Sequence, residues 1–327
     1  ALLAVAVFVI VGGFVDWGDG AVTAMDVDQE TRTFSASHRY LDDNPSGTPV
    51  DQYDITVTVM DDDGGEDTAS ASVTVHNLPP VITMLSSNAS AVGDAGENKP
   101  ITISGLFNDT GTLDTHTATV EWGDGTTSDA AVTWNNGTGF FRGSHAYLNG
   151  GIYDIKVNLS DDDDGMTSQT TTAFISGARV ENGVLQIVGT TGKDDVKVRS
   201  NGQDGEWIEV HAGFFPEGGN TRTFVSDTFE SVVVLAGAGN DTVMIDNKIV
   251  KPVTIDGGDG NDKGYVQLSV WDGGAWGEWT TLATPVDGHE GDSDERIYNS
   301  DWSRCAVELT AQAGQRVRLA LYHVASS

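Results

Sequence analysis

The chain carries one unit twice. Trp17-Gly18-Asp19-Gly20, His38-Arg39-Tyr40 and Asp61-Asp62-Asp63-Gly64 recur in the same order as Trp122-Gly123-Asp124-Gly125, His145-Ala146-Tyr147 and the acidic run from Asp161 to Asp164. Tyr53 precedes Asp61 by eight positions, and Tyr153 precedes Asp161 by the same eight. A tandem copy defines the unit of folding and shows what lies outside it. Inside each copy, Gly and Asp clusters punctuate the chain: Gly reaches positive φ without steric cost, and Asp bonds its own backbone in a turn. Between the clusters, residues 53–60 and 153–159 alternate apolar and polar with the period of a half-buried strand.

The second copy is complete. Alternating segments at 81–85, 101–107, 117–122, 130–134, 139–144, 153–159 and 170–175, each bounded by turn residues, predict an antiparallel β-sandwich. In the first copy 31–38, 53–60 and 68–75 read as strands, the last two as a hairpin with an acidic tip. Residues 1–14 are strongly apolar, yet a membrane-spanning helix takes roughly 20 residues. They lack the basic start and small-residue cleavage site of a signal peptide. Val and Ile dominate the run, so it reads as a strand or strand pair, with a pilin-like apolar helix as the alternative. Only 16 residues precede Trp17, whereas 41 separate Pro80 from Trp122, so the first copy is expected to lack one or two N-terminal strands. Asn77-Leu78-Pro79-Pro80 reads as a stiff linker, because proline cannot join a ladder.

Charge narrows the choice of partners. Seventeen Lys+Arg against 49 Asp+Glu leave a net charge of −32. Such a surface repels nucleic acid and anionic lipid and favours divalent cations. Gly is abundant at 40 residues, Thr, Ser and Val alternate, and no long segment has helical periodicity, so the fold class is all-β. The single Cys305 excludes an intrachain disulfide and reads as a small buried hydrophobe.

Trp-Gly-Asp-Gly, then His-x-Tyr, then a Val-rich strand closed by Asp-Asp-x-Gly resembles the polycystic kidney disease (PKD) domain, and the resemblance covers residues 1–177. It implies a seven-stranded immunoglobulin-like sandwich, common in extracellular bacterial proteins as a spacer or adhesive module. The expected organisation is a PKD-like unit at 1–77 and a complete one at 78–177.

Residues 178–263 change character. Three strands enter Gly-rich loops ending in Asp: Gly189 to Asp194, Ala236 to Asp241 and Gly257 to Asp262. The pattern resembles the Gly-rich nonapeptide of repeats-in-toxin (RTX) β-rolls. That resemblance implies Ca²⁺ ligands at Asp194, Asp241 and Asp262, with loop carbonyls at Thr191, Ala238 and Asp259; carboxylates and carbonyls are the hard oxygen donors Ca²⁺ takes. The repeats depart from the pattern at Ala236, Thr190 and Gly264, and their spacings of 47 and 21 residues cannot build an uninterrupted roll. Metal-free turns capping irregular coils are the alternative. Residues 264–327, with Trp271, Trp276, Trp279 and Trp302 between alternating segments, resemble part of a jelly-roll module found beside secreted bacterial peptidases and adhesins. Those tryptophans read as core, or as a ligand-binding aromatic face.

The twin Trp-Gly-Asp-Gly motifs and the His38/Tyr40 and His145/Tyr147 pairs read as packing and hydrogen bonding, since no nucleophile signature accompanies them. The acidic runs at 61–63 and 161–164 read as solvated hairpin tips, with an interdomain Ca²⁺ site as the alternative. No P-loop, zinc spacing or nucleophile elbow is visible, so a non-enzymatic role is expected. The sequence therefore predicts a structural or adhesive segment of a bacterial surface protein or filament, secreted or held at the cell surface and stiffened by Ca²⁺. The partners expected are copies or neighbouring segments of the same protein, joined by strand complementation, or matrix polysaccharide. An accessory substrate-binding region of a secreted hydrolase is the second reading.

Overall fold

The computed structural model describes residues 9–31, 33–43, 46–202, 206–216, 219–246, 248–249 and 251–260, and the backbones of three later strands. Every long element is a strand. The first unit has β1 (Ile10–Asp16), β2 (Val22–Ala24), β5 (Val50–Asp61) and β6 (Glu66–His76) in one sheet of order β2-β1-β5-β6. A small hairpin of β3 (Asp26–Asp28) and β4 (Thr33–Ser35) stands apart from that sheet. The described part of the N-terminal apolar run is thus strand, as expected. Of the segment 31–38 only three residues are strand, limited by the three-residue partner β3.

The second unit contains the expected seven strands and a short eighth: β7 (Val81–Ser87), β8 (Ala95–Gly96), β9 (Pro100–Asn108), β10 (Thr117–Glu121), β11 (Thr127–Asn135), β12 (Thr138–Ala146), β13 (Gly151–Ser160) and β14 (Met166–Glu181). β11 belongs to both layers: residues 127–130 pair with β10, and residues 131–135 pair with β12. One layer then runs β7-β9-β12-β11 and the other β11-β10-β13-β14. Asn136-Gly137 joins β11 to β12 with positive φ at both residues, the two-residue turn whose twist matches the flanking strands. Between the layers lie Ile101, Ile103, Phe107, Val120, Trp122, Phe141, Tyr147, Ile155, Val157 and Leu159, all essentially without solvent contact. Alternation along β9, β10, β12 and β13 puts those on the strands there: each buried position is followed by a more open one.

The two copies differ in how well this face is covered. Tyr153, Ile155, Val157 and Leu159 are at most 2% exposed, whereas of their counterparts Tyr53, Ile55, Val57 and Val59 only Tyr53 is buried.

β14 does not stop at the end of the sandwich. Its first ten residues pair with β13, and residues 177–181 pair with β15 (Val184–Thr190) through a second tight turn at Asn182-Gly183. β15 then lies parallel to β19 (Ser231–Gly237), and β19 parallel to β21 (Val253–Asp256). A facing sheet has the order β18 (Thr221–Val225), β17 (Trp207–His211), β16 (Asp195–Asn201), β20 (Thr242–Ile245), with β16 and β20 parallel. Successive coils are therefore stacked, and the antiparallel β17–β18 pair occupies the long interval between the first two. Leu185, Ile187, Val196, Val198, Val232 and Val234 fill the space between the sheets. Beyond these, β22 (Val266–Trp271) pairs with β23 (Thr280–Ala283) and β24 (Arg316–Leu321). Asp262, Trp276, Trp279, Trp302 and Cys305 lie outside the described residues.

Candidate metal centres

The repeated motif builds the same small structure in each copy, and its residues are used up in doing so. Trp122 Nε1 donates to Ser128 Oγ at 3.0 Å, and Trp17 Nε1 to Thr23 Oγ1 at 3.0 Å. Tyr147 and Tyr40 donate their hydroxyls to the carbonyls of Trp122 and Trp17, at 2.7 and 2.9 Å. His145 stacks on Trp122 and meets Asp124 Oδ2 at 2.7 Å; His38 stacks on Trp17 and meets Asp19 Oδ2 at 2.6 Å. Burial pushes Asp124 upward, but hydrogen bonds from Thr126 and His145 outweigh it and hold the carboxyl below its usual range. The middle glycine is needed for space as well as φ: a Cβ on Gly123 would stand 2.5 Å from the Asp154 carbonyl oxygen. These groups close a corner of the sandwich, as the sequence suggested.

The acidic tips begin alike and end differently. Asp61 Oδ1 accepts the Asp63 and Gly65 amides at 3.1 and 2.5 Å; Asp161 Oδ1 accepts those of Asp163 and Gly165 at 3.0 and 2.7 Å. The first carboxylate of each run is thus a turn cap. At the first tip Asp62 and Asp63 are exposed, the solvated arrangement expected. At the second tip Asp161 and Asp163 are buried, which departs from that expectation. The cover comes from the first unit, whose Leu113 contact (amide to the Leu41 carbonyl, 3.3 Å) and Arg39 bond to the Thr110 carbonyl at 3.1 Å seat it on the second. Asn77, in the linker, also donates to Asp161 Oδ2 at 2.8 Å.

This seating brings Asp42 and Asp43 of the first unit to Asp163 of the second, with one carboxylate oxygen from each lying within 4.8 Å of the others. Asp43 is 2% exposed, and among the described residues its Oδ2 has no hydrogen-bond partner. Burial, then the charges of Asp43 and Asp42, push Asp163 up to about 7. Burial likewise raises Asp43, with the charges of Asp42 and Asp51 adding to it. Three oxygen donors facing one another form a site of the kind a hard dication neutralises. Sequence inspection missed Asp42 and Asp43 because they look like loop residues. A signal was nevertheless available: Leu41-Asp42-Asp43 stands where the second copy has Leu148-Asn149-Gly150. The two loops are equivalent in space too, since Tyr53 bonds the Asp42 carbonyl and Tyr153 that of Asn149.

The described residues proposed from the repeat pattern, Asp194, Asp241, Thr191, Ala238 and Asp259, sit at the ends of the stacked strands. Asp194 and Asp241 come together, the Asp194 amide donating to Asp241 Oδ1 at 2.8 Å. Asp194 Oδ2 accepts the Thr190 amide at 2.7 Å. Burial raises both carboxyls, against the hydrogen bonds that stabilise their charged forms. Thr191 is exposed, and Ala238 bridges Asp259 in parallel register. Gly239 is needed here, because a Cβ would lie 2.7 Å from the Gly192 carbonyl oxygen of the coil below. Among the described residues, Asp194 and Asp241 have no third acidic or His side chain converging on them.

No family model matches the chain, and no curated protein does. Among solved structures it is similar to a tetra-tandem repeat from the extending region of a large adhesion protein, at 12% identity and a TM-score of 0.30, over 85% of this chain and 56% of that one. It is also similar to the fibronectin(III)-like modules of Clostridium thermocellum CbhA, at 17% identity and a TM-score of 0.26, over 54% and 84% of the two chains. A third likeness, at 13% identity and a TM-score of 0.22 over 86% and 76%, is to a 1.5-MDa bacterial ice-binding adhesin. The all-β fold of this chain rests on its own strand ladders.

Proposed function

We propose that this chain is a stiff structural spacer of an extracellular bacterial surface protein, with Ca²⁺ setting the first joint between its β-units. The carrying observation is the contrast between the two joints. The sandwich and the coil share one unbroken strand, β14, whereas the contact between the two tandem units includes Asp42, Asp43 and Asp163, three carboxylates that a cation would hold together. A spacer needs joints that hold a direction, and the high calcium of extracellular media fits a site that is loose without the ion. The net charge of −32 suits the same setting, in which salt screens self-repulsion. Its partners would be neighbouring segments of the same surface protein, or matrix polysaccharide.

Small-angle scattering with Ca²⁺ and with EGTA tests this reading. A narrower distribution of interatomic distances in Ca²⁺ is expected; superimposable profiles would refute a calcium-set joint. A second reading, self-association by strand addition, draws on the first unit, where Ile55, Val57 and Val59 are only partly covered and Phe14 and Val22 are exposed. Light scattering that finds only monomer at high concentration would sink it.

A further inference from the structure

Behind the joint lies a second group of converging side chains, which differs chemically from the first because it includes an imidazole. Asp109, Asp114 and His116 belong to the segment between β9 and β10, and one ligand atom from each lies within 4.8 Å of the others. The side chains of Asp109 and His116 have no solvent exposure, and Asp114 is 2% exposed. Asp109 divides its oxygens: Oδ1 accepts the Gly111 amide at 3.1 Å, and Oδ2 stands 2.9 Å from His116 Nε2. Among the described residues, neither oxygen of Asp114 has a hydrogen-bond partner, nor does His116 Nδ1. A buried carboxylate with both oxygens unsatisfied is costly, and native chains rarely keep one without a compensating ligand.

From this geometry we infer that Asp109, Asp114 and His116 form a binding site for a first-row transition dication of the Zn²⁺ class, separate from the oxygen-only cluster at the joint. In the tetrahedral arrangement Zn²⁺ prefers, two donors about 2.1 Å from the ion lie about 3.4 Å apart, so the 2.9 Å between Asp109 Oδ2 and His116 Nε2 needs to open by only about 0.5 Å for both to be neighbouring ligands. In the metal-free chain the same spacing is an N–H···O bond, and the ion would take the place of that proton. Ca²⁺ is the poorer occupant, because it seeks six or more oxygens and imidazole does not suit it. Phe107 and Trp134 close the apolar side, with ring centroids 4.9 and 4.3 Å from that of His116. They hold the imidazole in place and keep water from competing with the ion. The outer side of this loop carries the Thr110 carbonyl and Leu113 amide that receive the first unit, so an ion here would fix the surface on which the joint forms.

The test uses the full chain, freed of metal with EDTA and returned to buffer containing excess CaCl2. Calorimetric titration with ZnCl2 is expected to show one strong site per chain, weakened about 100-fold in Asp114→Asn and in His116→Gln. Asp114→Asn keeps the side-chain shape and removes a buried charge, so its melting temperature in EDTA should equal or exceed that of the parent. Titration of the unaltered chain with CoCl2 gives a readout independent of any variant: visible d–d bands that ZnCl2 abolishes and excess Ca²⁺ does not. Zn²⁺ binding no tighter than Ca²⁺, variants that bind Zn²⁺ as the parent does, or Co²⁺ bands displaced by Ca²⁺ would each overturn the assignment.

Discussion

Replacing Asp43 by Asn should change the stability of the first unit in opposite directions with and without calcium. Above pH 7 in EGTA Asp163 gives up its proton beside Asp42 and Asp43, one carboxylate oxygen of each lying within 4.8 Å of the others. At that separation and an effective dielectric of 20, each pair of unit charges repels by about 3.5 kcal/mol. Asp42 is partly exposed and Asp163 takes up a proton near pH 7, so solvent and protonation already relieve much of this. The part recoverable by Asp43→Asn is on the order of 1–2 kcal/mol, or roughly 5–15 °C in the melting temperature of a unit this size. With Ca²⁺ at about 100 times its dissociation constant the parent gains about 2.7 kcal/mol, most of which the variant forgoes. The pH dependence has a definite sign. Asp163 binds its proton more tightly folded (about 7) than unfolded (3.8), so the calcium-free joint loses stability as pH rises through that window. Thermal melts of both proteins at pH 5 and pH 8, each with CaCl2 and with EGTA, form the assay. A variant less stable than the parent in EGTA at pH 8, or equally stabilised by calcium, would refute the reasoning.

Other parts of the chain yield further expectations. Arg222 pairs with the fully buried Glu97 across the sandwich and coil; Arg222→Ala leaves that carboxylate, among the described residues, with the Gly150 amide and should cost about 3 kcal/mol in guanidinium unfolding. A loss under 1 kcal/mol would mean the pair is not what joins the modules. Tyr147→Phe removes a buried 2.7 Å bond to the Trp122 carbonyl and should cost about 1–2 kcal/mol; Tyr40→Phe, in the more open first copy, should cost less by the same denaturation assay. Gly123→Ala meets both a positive φ and the Asp154 carbonyl and should fold poorly, whereas Gly125→Ala, with open space at its Cβ, should lose only about 1 kcal/mol. Comparable soluble yields and melting temperatures for the two would contradict the crowding argument.

The sandwich was legible in the sequence because its signals are local. Alternation in 153–159 and turn residues such as Asn136-Gly137 act within a few positions, and the duplicate confirmed them. The coil was legible for a similar reason, since each strand leads into its own glycine loop. The candidate centres were not, because one depends on where two units touch and the other on how a loop folds back on itself. Nothing near Asp163 announces that Asp42 and Asp43 will cover it, and Asp109, Asp114 and His116 are ordinary loop residues until Phe107 and Trp134 enclose them. Difference between copies carried more information than similarity did: Asp42-Asp43 against Asn149-Gly150 marks a face of the first unit that meets its neighbour.

The unbroken β14 bears on how such chains are recombined. A cut at residue 177 would divide one strand between two products, leaving residues 178–181 to pair with β15 as a detached stub. The sandwich and the coil can therefore be exchanged between proteins only as a single cassette. The first unit meets its neighbour through the Asn77-to-Pro80 segment, side chains and the Leu113-to-Leu41 backbone bond, so a splice there severs no ladder. Gene duplication and shuffling have a clean seam at that end, and none at the other.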